Sequence, residues 1–456
     1  MDALHGDGLA HFARLGLPTR ALEDWKYLRI DDLLPAAVVP ADASAVAAID
    51  AAAIESLIPD LAGPRVVFVN GYLAPGLSRL QSAGASDGTA PGQPAGVVVD
   101  HVAAVAATTD GATGLLAHLV DGTTAPADGF AALNAGLFDD GAVIHVGPGV
   151  VASDPVHVVI VTTDSPDGAA PVLASPRSVV VAGANSEVTV VETHVGLGVA
   201  PNVSNAVTRV VADEGARVRH ITLQDVPTTA GHLGVVEAHV GDGATVDAHT
   251  VALGGRVARH ELRLRLVGRG AQTSATGLYL PTGDQYHDQP VLVDHVGPDG
   301  TSSQLYNGVL DGNGHGVFNG RIVVHPSGAG ADATQSNRNL VLSDRAEVDT
   351  RPRLEILADE VKCSHGATVG QLDEQSVFYL RSRGIPESVA RGMLTYAFAN
   401  EMVRRAGHPA LVAWIHQRVA ERFPGLDPTE VTEDDTPAAT PLAAAPGEGS
   451  PVTGSV

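Results

Sequence analysis

A short phrase recurs in this chain at a spacing that few folds can use. Gly215-Ala216-Arg217-Val218 returns as Gly243-Ala244-Thr245-Val246 and again as Gly270-Ala271-Gln272-Thr273, with glycine spacings of 28 and 27 residues. Gly183-Ala184 precedes the first by 32 residues, and Arg345-Ala346-Glu347-Val348 and Gly366-Ala367-Thr368-Val369 read as later members. A turn followed by an alternating strand at a fixed period is the mark of a solenoid, in which each unit buries its apolar face only against its neighbours. Stacked coils need small and β-branched side chains inside, which suits 51 glycines and an aromatic content of 4%. A parallel β-helix fits best, and a two-sheet sandwich is the alternative on pattern alone.

The rest of the chain frames that region. Leu9, Phe12, Leu15 and Leu17 trace a rough helical stripe, and Ile49 to Ile58 reads as another short helix. We therefore expect an N-terminal helical unit over 1–62. Short β-branched runs bounded by Gly, Pro or Asp follow, such as Ala142-Val143-Ile144-His145-Val146 and Val156 to Val161. Helical periodicity does not return until about residue 374. This predicts a β-strand region over 63–370. Pro386-Glu387-Ser388 then opens a helix, Gly407-His408-Pro409 breaks it, and Leu411, Ile415, Val419 and Phe423 form a second stripe. The expectation is a C-terminal helical unit over 371–426. Residues 427–456 carry acids but no base and are rich in Pro, Ala, Thr and Gly, the composition of a disordered acidic tail.

Charge and cysteine content exclude several functions. Acids outnumber bases 52 to 28, a net charge of −24. Nucleic-acid binding needs Lys and Arg to displace counterions, and an anionic membrane surface would repel this chain. With no 18-residue apolar stretch and no signal-like N-terminus, a cytoplasmic protein is expected. Cys363 is the single cysteine, so no internal disulfide can form, and one thiolate cannot hold an iron–sulfur cluster that takes four ligands. There is no P-loop, no G-x-S-x-G and no H-E-x-x-H. Gly312-Asn313-Gly314-His315-Gly316 lacks dinucleotide-binding spacing and reads as a solenoid turn.

One segment could carry chemistry, Val361-Lys362-Cys363-Ser364-His365-Gly366. In an extended strand Cys363 and His365 share a face, and Lys362 and Ser364 point the other way. A thiol beside an imidazole can share iron, zinc or copper(I), or form a thiolate–imidazolium pair. The plain alternative is a buried Cys with a hydrogen-bonded His. A Cys–His protease is disfavoured, because a base two residues from its nucleophile in a strand is not the known geometry. His287, His295, His315 and His325 lie near acids and turns and read as scattered surface histidines. The scarcity of aromatics and of clustered acids in the strands speaks against a carbohydrate-processing β-helix.

Residues 306–384 closely resemble the SufB/SufD family of iron–sulfur cluster assembly scaffold proteins. The resemblance is carried by Tyr306-Asn307-Gly308-Val309-Leu310-Asp311, Gly316-Val317-Phe318-Asn319-Gly320-Arg321 and Gln335-Ser336-Asn337-Arg338-Asn339-Leu340. It continues through Asp349-Thr350-Arg351-Pro352, Val361 to Gly370, and Phe378-Tyr379-Leu380-Arg381-Ser382-Arg383-Gly384. Glu23-Asp24-Trp25-Lys26-Tyr27 and the lone cysteine are closer to the SufD branch than to SufB, where further cysteines are expected.

The resemblance implies a mainly β chain: a right-handed parallel β-helix core flanked by small N-terminal and C-terminal helical units. It implies a non-catalytic subunit that pairs with a SufB-like subunit and a SufC-like ABC ATPase, with a homodimer left open. The ATPase would bind the C-terminal helices, and a cysteine desulfurase would supply sulfur indirectly. A nascent, transiently held iron–sulfur cluster would sit at the SufB interface with His365 and Cys363 as the residues offered here, and nucleotide would bind only the ATPase. The rival is a purely structural β-helical partner that contributes no ligand.

Overall fold

Each coil of the solenoid turns at a residue in the left-handed region of backbone space. In the computed structural model, which describes residues 2–80, 96–107, 114–119, 128–166, 168 and 170–423, these corners are Asn185, Gly215, Gly243, Gly270, Asp299, Gly330 and Glu360, with φ between +56 and +80°. The corner N–H points along the solenoid axis to the next coil. Asn185 donates to the Glu214 carbonyl, Gly215 to Asp242, Gly243 to Arg269, Gly270 to Pro298 and Asp299 to Ala329, all at 2.8–2.9 Å. The recurring Gly-Ala phrase is thus a stacked corner. Glycine suits it because a Cβ is strained at positive φ.

From the corners, strands alternate between two parallel sheets. One carries Glu187–Leu197, Arg217–Asp225, Thr245–Ala252, Gln272–Tyr279, Thr301–Leu310, Asp332–Val341 and Lys362–Gly370 as successive neighbours. The other carries Val203–Ala212, Gly231–Val240, Val257–Leu266, Tyr286–His295 and His315–Val324, then the pair Glu347–Thr350 and Arg353–Ile356. Among the described residues the sheets have ten and twelve strands. Strand residues reach 41% against 24% helical, so the chain is mainly β, a solenoid of about seven turns. Register is unshifted from coil to coil: Val188, Val218 and Val246 are direct partners, each no more than 2% exposed. Burying one such side chain contributes about 1.5–3 kcal/mol, and the ladder repeats it in every coil.

Three sequence expectations are corrected. Gly366-Ala367-Thr368-Val369 is not a corner but the middle of Lys362–Gly370; the corner of that coil is Glu360. Arg345-Ala346 leads into Glu347–Thr350 of the twelve-strand sheet, not into a repeat of the Gly215 type. Helices Val102–Ala106 and Gly129–Leu137 interrupt the strand region. The second is apolar on nearly every side and buried, so it offers no amphipathic stripe to read. Asp128 caps it, accepting from the N–H groups of Phe130 and Ala131.

The helical ends are fastened to the solenoid differently. Helix Asp2–Leu15 lies against Gly129–Leu137, where a Cβ on Gly8 would come within 2.5 Å of the Ala135 and Gly136 backbone. Leu9 and Leu15 of the expected stripe stay more than 40% exposed, so this contact is made through glycine. Trp25 stacks on Phe130 at 5.5 Å, and the guanidinium of Arg259 sits 4.0 Å from the Trp25 ring centre. Arg259 is buried and ion-paired with Asp288 and Glu261, and it donates to the Asp24 carbonyl at 3.0 Å. At the other end Glu387–Arg404 and Pro409–Arg422 cover the outer face of the ten-strand sheet. Met402, Leu411, Ile415 and Val419 pack there on Val191, Ile221, Val251 and Leu278. Both faces of that sheet are therefore buried, as parallel sheets require. No helix among the described residues is long and apolar enough to cross a membrane. The proposed tail, 427–456, lies outside the described residues.

Replacing Gly243 with Ala puts a Cβ at φ +60° and is expected to lower stability by about 1–2 kcal/mol. Urea unfolding of the full chain measures it. Asp299→Gly relieves the same strain but removes the Arg269 ion pair, so its net change is expected to be smaller.

Candidate functional site

The solenoid ends at Lys362–Gly370. This strand pairs on one side with Asp332–Val341, and among the described residues nothing pairs with its other side. Lys362 N–H bonds the Ala331 carbonyl at 2.8 Å. In a parallel ladder alternate residues bond to the same neighbour, so the backbone groups of Cys363, His365, Ala367 and Val369 face the free edge.

The register also fixes where the side chains go. Cys363 is the direct partner of Ala333 and His365 of Gln335, and both partners are buried inside the coil. Cys363 and His365 thus share the inward face, as the period-two reading expects. Because no further coil follows among the described residues, these inward positions stay open. Cys363 is half-buried against the core, while Val369 (54%) and Leu357 (61%) are exposed apolar groups at the same end. His365 is exposed. Behind it lies a column of buried amides: Gln335 donates to Gln304 at 2.6 Å, and Gly320 has no Cβ where the Gln335 amide crosses.

Burial, helped by the negative charge of Asp332, pushes the Cys363 thiol up. The free chain therefore holds a thiol at neutral pH, not the thiolate of an activated cysteine. A partner that brings a cation or metal to this edge would reverse that balance.

The other histidines separate into two groups. His287 and His295 are completely buried, which corrects the surface reading. His287 donates to the Gly254 carbonyl at 3.0 Å, and His295 Nε2 lies 2.8 Å from Ser302 Oγ. Burial lowers their pKa values to about 3 and about 4. His315 and His325 are part-exposed and pair with Asp349 at 2.9 Å and Asp294 at 2.7 Å. His315, Glu347 and Asp349 have donor atoms within 4.8 Å of one another at the solvent-facing end of the twelve-strand sheet. The turn at Gly312 has φ +66°, in keeping with its reading as a solenoid corner.

A polar cluster inside the solenoid escaped the sequence reading. Glu192, His194, His220, His232 and His260 are all buried. Their signal was present as inward positions in alternating strands, but a polar residue in such a pattern reads as outward-facing by default.

The aromatic pair Phe378 and Tyr379, on helix Glu374–Ser382, is 71% and 57% exposed. Exposed aromatics beside an open strand edge are the features of a protein-binding surface.

Comparison with known proteins agrees with this geometry. The family description "SUF system FeS cluster assembly, SufBD core domain" matches residues 162–398, and "SufBD protein N-terminal region" matches residues 1–158. The chain is similar to SufD of Escherichia coli, an iron–sulfur cluster assembly protein, at 31% identity covering 91% of this chain and 92% of that one. It is also similar to a SufBD family protein of Synechocystis (29%, covering 90% and 88%) and to one of Mycobacterium tuberculosis (34%, covering 50% and 58%).

Alkylation of Cys363 in the free full-length chain is expected to follow a pKa above that of an ordinary cysteine. Asp332→Asn should lower the midpoint by removing a like charge that disfavours the thiolate. The rate of iodoacetamide labelling against pH measures both.

Proposed function

This chain belongs to the SufBD family of iron–sulfur cluster assembly proteins, and on that premise we propose that it is the SufD-like subunit of a SufB–SufC–SufD assembly. It pairs edge to edge with a SufB-like subunit through strand Lys362–Gly370. The observation that carries this reading is the uncapped end of the solenoid. There an unpaired edge strand, exposed apolar groups and the inward residues Cys363 and His365 converge. A facing strand from the partner would continue the sheet and cover Val369 and Leu357.

In this reading the cluster is cargo built between two chains. His365 supplies an imidazole nitrogen. Cys363 lies one inward position deeper, and its raised thiol fits a supporting or sulfur-relay role better than a standing thiolate ligand. The remaining ligands come from the SufB-like partner, which a chain with one cysteine requires. A SufC-like ABC ATPase docks on the C-terminal helical end, 371–426, and its ATP-driven closure strains the edge pairing so that iron and sulfide reach the site. Sulfur arrives from a cysteine desulfurase by way of the SufB-like chain. The subunit has no turnover of its own and works in the cytoplasm.

Co-expression with SufB-like and SufC-like partners, followed by anaerobic absorption spectra, tests the ligand assignment. His365→Ala is expected to abolish most of the cluster band while the three chains still co-purify. An unchanged band would overturn the assignment, and so would loss of the complex itself. Ala367→Pro removes an edge-facing N–H and is expected to weaken pairing with the SufB-like chain by about tenfold or more, since each lost hydrogen bond costs about 1 kcal/mol and the ring adds a steric penalty. Size-exclusion chromatography at falling concentration measures it.

A further inference from the structure

The inward column that ends at His365 changes character just before the edge. Its members are direct partners from coil to coil: Ala248, Ala275, Gln304, Gln335 and His365. The two alanines belong to the apolar core. The two glutamines are just as deep, at 2% and 3% exposed. A buried amide is costly unless its donor and acceptor groups are satisfied. In this column such groups appear only in the two coils beneath His365.

Gln335 is held in one pose. Its amide crosses the coil to strand His315–Val324, where a Cβ on Gly320 would stand 2.2 Å from Nε2 and 2.7 Å from Cδ, so only glycine leaves room for it. Nε2 donates to Gln304 Oε1, in the coil beneath, at 2.6 Å. Oε1 is buried and has no partner. The other inward amides of the same strand differ: Asn337 Oδ1 accepts from Asn339, and Asn339 Oδ1 accepts from the Tyr279 hydroxyl. With Nε2 turned to the coil beneath, Oε1 is left on the side of the last coil. His365 is the residue directly above it, and its side chain is exposed. Neighbouring strands lie about 4.7–4.9 Å apart, which lets an imidazole N–H set over an amide oxygen reach hydrogen-bond distance.

We propose that Gln335 is a positioning residue for His365: its Oε1 accepts from Nδ1–H of the imidazole, fixes the ring orientation and leaves the Nε2 lone pair facing the open edge. Nδ1 and Nε2 lie toward opposite sides of the ring, so a ring with Nδ1 turned down to the amide presents Nε2 outward. A neutral imidazole carries one N–H, and the hydrogen bond made by one nitrogen decides which nitrogen is left to bind a metal. No proton is gained or lost. An oxygen acceptor behind a ligating histidine is the usual second partner of such a ring. Without it, an exposed histidine favours the Nε2–H form, as it does in water, and the outward nitrogen is blocked. This inference rests on the reading of His365 as a cluster ligand and adds which nitrogen binds and what fixes it.

Long-range proton–nitrogen correlation spectra of the free full-length chain, labelled with ¹⁵N-histidine, test the contact at a pH of about 8, above the ordinary histidine range. The His365 signals are those missing in His365→Ala. The expected result is the Nδ1–H form in wild type, a measurement that needs no variant. Gln335→Met keeps the length, removes the acceptor and is expected to show Nε2–H with an unchanged far-UV circular dichroism spectrum. Gln335→Glu keeps an oxygen and is expected to show Nδ1–H. In the complex with SufB-like and SufC-like partners, Gln335→Met should lower the retained cluster by about tenfold or more while the three chains still co-purify, and Gln335→Glu should restore most of it. Nε2–H in wild type would overturn the proposal, as would Nδ1–H kept in Gln335→Met. So would a full cluster band, or loss of the complex, in Gln335→Met. A full cluster band in His365→Ala would instead overturn the ligand reading beneath it, whichever nitrogen carries the proton in the free chain.

Discussion

The structure hangs on one backbone contact that recurs from coil to coil: a left-handed corner whose N–H reaches a carbonyl at the next corner. That bond fixes the rise and the phase of every coil. With phase fixed, register cannot slip, and the side chain at each inward position sits directly over its counterpart in the neighbouring coil. Valine can then stack on valine for several coils. The same rule carries Gln304 onto Gln335 and Gln335 onto His365.

A stack of identical units has ends, and its two ends are finished differently. The first coils are covered by helices that lie close to them in sequence, Ser44–Ala48, Ala51–Leu57 and Val102–Ala106. The flank of the twelve-strand sheet is closed by the Trp25–Arg259 contact and by ion pairs from Glu23 to Arg351 and from Asp24 to Arg353. The last coil has no such cover among the described residues. Side chains that would be core anywhere else are there brought to the surface without any change in backbone geometry. Cys363 and His365 are held in position by the coil beneath them, as the proposed role at this edge requires.

Much of this was legible in the sequence, and the failures have physical causes. The Gly215, Gly243 and Gly270 corners announce themselves because glycine is the usual occupant of positive φ. Asn185, Asp299 and Glu360 occupy the same backbone position with side chains, so the period fades on both sides of the clear repeats. Cys363 and His365 were found because alternation puts them on one face whichever face is inside. Which face that is, and that the strand is the last of its sheet, depends on the coil below and the absence of one above. His287 and His295 were misplaced for the same reason as the interior cluster: alternation gives two faces but not which is buried, and polarity is then a misleading guide.

The central claim is that a nitrogen of His365 binds the cluster that the assembly builds. The most direct measurement is pulsed electron paramagnetic resonance on the reduced cluster in a complex where only this chain carries ¹⁵N-labelled histidine. The account predicts a strong coupling to a single ¹⁵N nucleus, absent when His365 is replaced by Ala. A fully formed cluster with no ¹⁵N coupling from this chain would contradict it.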